Sequence, residues 1–192
     1  MFLLLILFMM AGTTAVQFDG ALANIVLAST TPSHPQNFAQ TSEAEEAEEA
    51  EAQSEALDDL YRDNGCHRCD LSNQLFDNLD LINVTLKWST LSDSSFRNTD
   101  LVMANISYAN VQRSNFERAD LSLAVLEGAD LSYARFINAN LEGANLTSAI
   151  FTRTNFMNAN LRNAEIDLEE AMGNGAFFCG ATLPDGTLGA CH

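Results

Sequence analysis

From Leu71 onward a large apolar residue returns at every fifth position: Leu71, Phe76, Leu81, Leu86, Leu91, Phe96, Leu101, Ile106, Val111, Phe116 and on without a break to Ile166. Two residues before each of the last sixteen stands Ala, Ser or Thr, from Ser89 and Ser94 through Ala159 and Ala164. The residue between the two is often Asp or Asn, as in ADLSY at 129–133 and ANLEG at 139–143. A helix repeats every 3.6 residues and a strand every 2, so neither gives a period of five. One large and one small inward residue per five suits a coil whose backbone turns a corner in every unit.

A second period sets the number of corners. Phe76, Phe96, Phe116, Phe136 and Phe156 recur at intervals of 20, as do Leu81, Leu101, Leu121, Leu141 and Leu161. Four units therefore make one turn, which predicts a four-sided all-β solenoid of about five coils. One side is lined by a Phe ladder and the next by a Leu ladder. At about 4.8 Å between hydrogen-bonded neighbours the stack is about 24 Å long. Such a column meets only its nearest neighbours, so its ends need caps. Gln74, Leu79 and Val84 replace the small residue, so the first coil is expected to be wider or irregular. After Ile166 the register slips. The next matches are Ala176 with Phe178 and Ala181 with Leu183, so two residues are inserted in DLEEAMGNG at 167–175. A short helix or loop is expected there, then a partial coil ended by a Pro184-Asp185-Gly186 turn.

The units resemble the pentapeptide-repeat family, whose pattern is A(D/N)LXX, and the resemblance implies a right-handed quadrilateral β-helix with short helical caps. GCHRCDLS at 65–72 and FCGATLPDG at 178–186 are similar to the ends of exported cyanobacterial members, which implies a periplasm or thylakoid lumen. Most members of that family have no assigned activity.

Outside the repeat the chain changes character. Residues 1–10, MFLLLILFMM, are apolar and are followed by small-x-small sites at 21–23 and 26–28, the pattern of an export signal over 1–28. The rival reading, a membrane anchor, needs an apolar run of about 18 residues. A Pro, Ser and Thr linker leads into an acidic tract over 29–48, and a helical N-terminal cap is expected at 49–65, with Leu57, Leu60 and Tyr61 on one face. The solenoid follows at 66–168 and a C-terminal cap with the final partial coil at 169–192. Of the 26 acidic residues behind the net charge of −17, ten lie in 43–63. The stretch 69–168 holds 12 acids and 7 bases, a mild −5. That balance argues against direct nucleic-acid binding, which needs clustered Lys and Arg.

Four cysteines allow three pairings. Cys66 and Cys69 open the solenoid while Cys179 and Cys191 end it, and a disulfide spans at most about 7 Å between Cα atoms. The stack length therefore favours Cys66 with Cys69 and Cys179 with Cys191, as structural staples that export permits. A CxxC redox site is the alternative, but the βαβ setting it uses is missing from the pattern.

On the exterior, Asp80, Asp100, Asp120, Asn140 and Asn160 form one column. Hydrogen bonding to the backbone at corners is its expected role, with a cation or basic-partner stripe as the alternative. Asp77, Arg97 and Glu117 form an alternating-charge column. Ile82, Trp88, Val102, Met103, Tyr108, Leu123 and Val125 share adjoining outward faces, forming a patch that either binds a partner or is covered by the Leu57, Leu60, Tyr61 helix. No Ser-His-Asp or Cys-His constellation, phosphate loop or HExxH motif occurs, and His34, His67 and His192 all fall outside 69–168. The expectation is a non-enzymatic structural or protein-interaction scaffold without cofactor or metal. Its expected partner is a protein, homodimerisation included, and it meets a membrane only through the signal segment. The alternative is a DNA mimic acting on DNA gyrase or another nucleic-acid-binding protein.

Overall fold

The backbone of a single unit shows why five residues close a corner. In the computed structural model, which describes Asp58 and residues 60–191, the unit Thr99-Asp100-Leu101-Val102-Met103 uses every N–H it has. Leu101 N–H donates to Asp120 O (2.7 Å) and Met103 N–H to Ser122 O (3.0 Å), both on the following coil. Asp100 N–H donates back to Leu79 O (2.9 Å) on the preceding coil. The N–H of Ala104, at the start of the next unit, closes a β-turn onto Leu101 O (3.0 Å), as Thr99 N–H does onto Phe96 O. Only Val102 N–H lacks a backbone acceptor, and Asp100 Oδ1 takes it at 3.1 Å. A backbone donor left unpaired is costly, so a short acid or amide before the large residue serves the corner wherever it stands, while Thr85, Val125, Arg135 and Ile150 hold the same position at other corners.

The same side-chain bond recurs at Asp70, Asp80, Asn105, Asn110, Asn115, Asp120, Asp130, Asn140, Asn145, Asn155 and Asn160. The column Asp80, Asp100, Asp120 therefore serves its own backbone, as expected. Asn140 Nδ2 also donates to Asp120 Oδ1 (3.0 Å), and Asn160 Nδ2 donates to Asn140 Oδ1 (3.1 Å), linking the column along the axis.

Parallel bridges join residue i to i+20 from Gly65 with Thr85 to Asn145 with Glu165. The chain is a four-sided solenoid whose β pairing consists of single-residue bridges, because each side is too short for a longer strand. Leu71, Phe96, Leu101, Ile106 and their counterparts on every side are buried in one continuous column. The Phe ladder runs through it with ring centroids 4.7, 4.8, 4.9 and 5.2 Å apart from Phe76 to Phe156. These spacings equal the separation of neighbouring strands, so rings one coil apart stack.

Phe178 continues the ladder at 5.2 Å from Phe156, although 22 residues separate them. The bridges Asn155 with Phe177 and Asn160 with Thr182 carry the same offset of 22. The two extra residues are taken up by helix α1, Leu168–Gly173, which is N-capped by Asp167 Oδ1 accepting from Glu170 N–H and buries Ala171. Beyond it, Leu183 to Gly186 form a turn, closed by Gly186 N–H onto Leu183 O, and Thr182 pairs antiparallel with Leu188.

The N-terminal end departs from the regular pattern. Leu60, on a helical turn at 60–63, is buried against the core, whereas Tyr61 is 64% exposed and so does not share its buried face. Two neighbours on a helix cannot both face one surface when the contact is a single turn wide. Leu57, the signal segment, the linker and the acidic tract lie outside the described residues. Gly65 already pairs with Thr85, so the ladder begins one residue before the expected boundary. In the first coil, Cys69 N–H and Gln74 N–H bond to the hydroxyls of Ser89 and Ser94, not to turn carbonyls. Those hydroxyls, with that of Thr99, donate in turn to Cys66, Leu71 and Phe76 O. Polar small residues at these positions thus tie the first coil, where Gln74 and Leu79 stand at small-residue positions, to the second. Cys66 is joined to Cys69 and Cys179 to Cys191, with Cα atoms 5.8 and 4.4 Å apart. Cys66 occupies a large-residue position and Cys69 a small-residue one, so the first bridge crosses the inside of a corner.

Candidate interaction face

Each corner places its second turn residue in the left-handed region, with φ between 52° and 66° from Asn73 to Asn163. This conformation suits Gly and is tolerated by Asn, whose short side chain bonds locally, while for other L-residues it costs about 1–2 kcal/mol. Seven of these corners carry Asn and two carry Gly. The other ten carry neither: Asp93, Arg113, Arg118, Ser148 and Arg153 are polar or charged, whereas Trp88, Met103, Tyr108, Leu123 and Tyr133 are large, apolar or aromatic, and held at φ of 58–61°.

Four of the five are members of the expected patch, and all are 43–54% exposed. Ile82 is also exposed, and Val102 and Val125 are half-buried beside them. The described part of the N-terminal helix leaves this surface open. The patch is one side of the solenoid together with its two bounding corners. Thr85, Asn105 and Val125 run up the middle, Met103 and Leu123 form one corner, and Trp88 and Tyr108 form the other.

The aromatic corner is built as a column. His67 meets Trp88 edge-on at 4.8 Å, so His67 belongs to the first corner and not to a separate leader. Trp88 stacks on Tyr108 at 6.0 Å, and the Tyr108 ring lies over Gly128, where a Cβ would be 2.5 Å from it. Leu123 likewise covers Gly143, where a Cβ would approach its Cδ2 to 2.8 Å. Glycine at these two corners gives room for the large residue one coil before. Lys87 Nζ lies 4.5 Å from the Trp88 ring centre and 5.7 Å from that of Tyr108, and the Arg68 guanidinium lies 5.2 Å from Trp88. Glu127 Oε1 accepts from the Tyr108 hydroxyl at 2.8 Å, and this bond to a carboxylate raises the phenol above its ordinary value.

Part of the charge elsewhere on the surface is locally paired. Asp93 and Arg113 form a two-bond pair at 2.6 and 2.7 Å, which holds the carboxyl below its usual range and raises the guanidinium. The alternating column is less regular than its sequence. Arg97 and Arg135 each approach Glu117 at 3.9 Å, while Asp77 accepts from Ser95 Oγ and Arg97 N–H. Among the described residues there is no cluster of His, Cys, Asp or Glu able to hold a metal, and no helix long and apolar enough to cross a membrane.

Sequence reasoning missed a second apolar region. Met172 and Phe177, each more than half exposed, line a 460 Å³ groove at the C-terminal end together with Met157 and Leu183, and Leu188 is 72% exposed. Phe177 falls between the restored inward pair Ala176 and Phe178 and so was readable as outward, whereas Leu188 lies beyond the closing turn, where the five-residue count gives no guide.

The pentapeptide repeats family profile matches residues 86–122 and 124–163 with eight copies. Solved structures similar to this chain include a pentapeptide repeat protein of the cyanobacterium Cyanothece, 22% identical over 66% of this chain and 99% of that one, with a TM-score of 0.30. A second, from Nostoc, is 24% identical over 68% of this chain and 93% of that one, at 0.34. A third, from the Arabidopsis thaliana thylakoid lumen, is 32% identical over 53% of this chain and 64% of that one, at 0.28. No curated protein matches. With its five-residue units, its bridges at i+20 and its eight matched copies, the stretch 86–163 is built of pentapeptide repeats.

Proposed function

We propose that this chain is a non-enzymatic protein-interaction scaffold of an exported compartment, a periplasm or thylakoid lumen. It is a right-handed solenoid of about five coils, closed by a short helical element at each end. The observation that carries the reading is the set of large side chains at left-handed corners. Trp88, Met103, Tyr108 and Leu123 occupy positions where Asn or Gly would relieve the backbone, and they leave about half of each side chain in water. Their half-burial does no more than offset the backbone term, so folding gives them no net advantage, which is consistent with a surface kept for contact with another protein. The two disulfides support an oxidising compartment. The stretch 69–168 carries a net charge of only −5, which gives the DNA-mimic alternative little support.

The test is affinity purification of the protein from its own envelope or lumen fraction, alongside Met103→Glu and Trp88→Glu. Loss of a partner or of self-association with retained folding is expected. Unchanged association in both variants overturns the docking face, and recovery of a cytosolic topoisomerase by the wild type would replace it with the DNA-mimic reading.

A further inference from the structure

The docking side is neutral along its middle, where Thr85, Asn105, Val125 and Asn145 follow one another at one-coil intervals. Its nearest charges lie on the aromatic rim, and their order along the axis reverses sign about Tyr108. Lys87 lies one coil before Ser107 and Glu127 one coil after it, at the same position of their units. Both reach the same ring: Lys87 Nζ lies 5.7 Å from its centre and Glu127 accepts its hydroxyl. Arg68 extends the basic end, against Trp88. The side is thus basic at one end, apolar in the middle and acidic at the other.

An interface between two identical copies related by a twofold axis must be complementary to itself. A surface whose charge changes sign about an apolar centre meets that condition for antiparallel copies. Resting on the docking-face reading above, we infer that the occupant of this face is a second copy of the same chain, lying antiparallel, with the twofold axis crossing the solenoids at the level of Ser107 and Tyr108. Lys87 of each copy then faces Glu127 of the other, and Met103 meets its own counterpart. Trp88 faces Gly128, the first corner of that column without a side chain. A parallel arrangement in register, with the twofold along the solenoid axis, exchanges the two rims and sets Lys87 against Asn83 and Glu127 against Leu123, so only the antiparallel one pairs the charges.

Sedimentation of the full chain with its disulfides intact, over a concentration series at low ionic strength, tests the inference. The wild type is expected to dimerise, and to do so less as salt is added. Lys87→Glu and Glu127→Lys should each raise the dissociation constant about tenfold, because the symmetry places each repulsion in the dimer twice. The double variant K87E/E127K should restore dimerisation, which a general loss of folding would not allow. A wild type that stays monomeric throughout, or a double variant no better than the singles, overturns the inference. If the wild type is monomeric while Met103→Glu loses a different protein in the affinity experiment, the docking face stands with another occupant. If Met103→Glu changes nothing there either, both readings fall.

Discussion

Replacing Met103 by Asn separates what a corner residue does for the fold from what it does for docking. The backbone there has φ of 59°, which costs an ordinary L-residue about 1–2 kcal/mol. Asn recovers part of that, about 0.5–1 kcal/mol, as it does at seven sister corners such as Asn83 and Asn163. Against this, Met103 is 52% exposed, so its removal sacrifices only about half of a buried methionine's contribution, about 1 kcal/mol. The two effects nearly cancel, and the expected change in unfolding free energy is within about 1 kcal/mol of zero. Leu101, two residues earlier and fully buried, provides the contrast, since Leu101→Ala should cost about 2–5 kcal/mol. Urea unfolding with the disulfides intact, read by circular dichroism, gives both values, and sedimentation gives the association of Met103→Asn. A loss above about 2 kcal/mol for Met103→Asn would show that the residue belongs to the folding core and refute the argument from its corner. So would unchanged association, for the docking role.

The Phe ladder should respond by position. Phe116 stacks on rings at 4.8 and 4.9 Å, whereas the ladder gives Phe76 only Phe96, so Phe116→Leu should cost about 0.5–1.5 kcal/mol more than Phe76→Leu in the same unfolding assay. Acid should destabilise the solenoid through specific carboxyls. Burial pushes Asp130 upward, but bonds from the Ser132 hydroxyl and N–H and from Gln112 outweigh it, so the folded value lies below the unfolded one. Asp93 and Asp185 are lowered by bonds from Arg113 and Thr187. A lowered folded value contributes stability above the unfolded pKa, about pH 4, which is lost as pH falls through the folded value. Asp130→Asn should therefore flatten the drop in stability below pH 4, and an equal drop in both proteins would count against this origin. Separate removal of the two disulfides should also differ. The Cys66–Cys69 bridge closes a loop with a sequence separation of 3 and the Cys179–Cys191 bridge one of 12, which loop entropy values at about 2 and about 3 kcal/mol. Paired Cys→Ser variants measured by urea midpoint check the order.

The periods of 5 and 20 were legible because inward residues answer mainly to volume: a large aliphatic residue or Phe at one position and, from Ser89 on, Ala, Ser or Thr two before it fill a narrow column. The insertion at 167–175 could be found for the same reason, since Ala176 and Phe178 restore the inward pair. Cysteine pairing followed from the length of the stack. The corners were less readable. Nothing about Trp88, Met103 or Arg113 as residue types announces a left-handed backbone, which the surrounding hydrogen bonds impose wherever the unit places its second turn residue. Tyr61 was misplaced because one helical turn offers no periodicity to average over. The hydroxyl bridges of Ser89, Ser94 and Thr99, repeated at Ser114 and Thr154, were hidden because a small polar residue and Ala fill the same position in the pattern, while only the former has a proton to give to a carbonyl of the preceding coil.

The chain has one tryptophan, and Trp88 lies in the docking face, 43% exposed and stacked on Tyr108. Its fluorescence reports directly on whether that face is covered. The account expects the emission to shift to the blue and resist acrylamide quenching as concentration rises, with K87E holding it in the exposed state and K87E/E127K returning it. Emission and quenching that stay constant with concentration in all three proteins would contradict a second copy on this face. The same constancy after addition of the protein's own compartment extract would contradict the docking face itself.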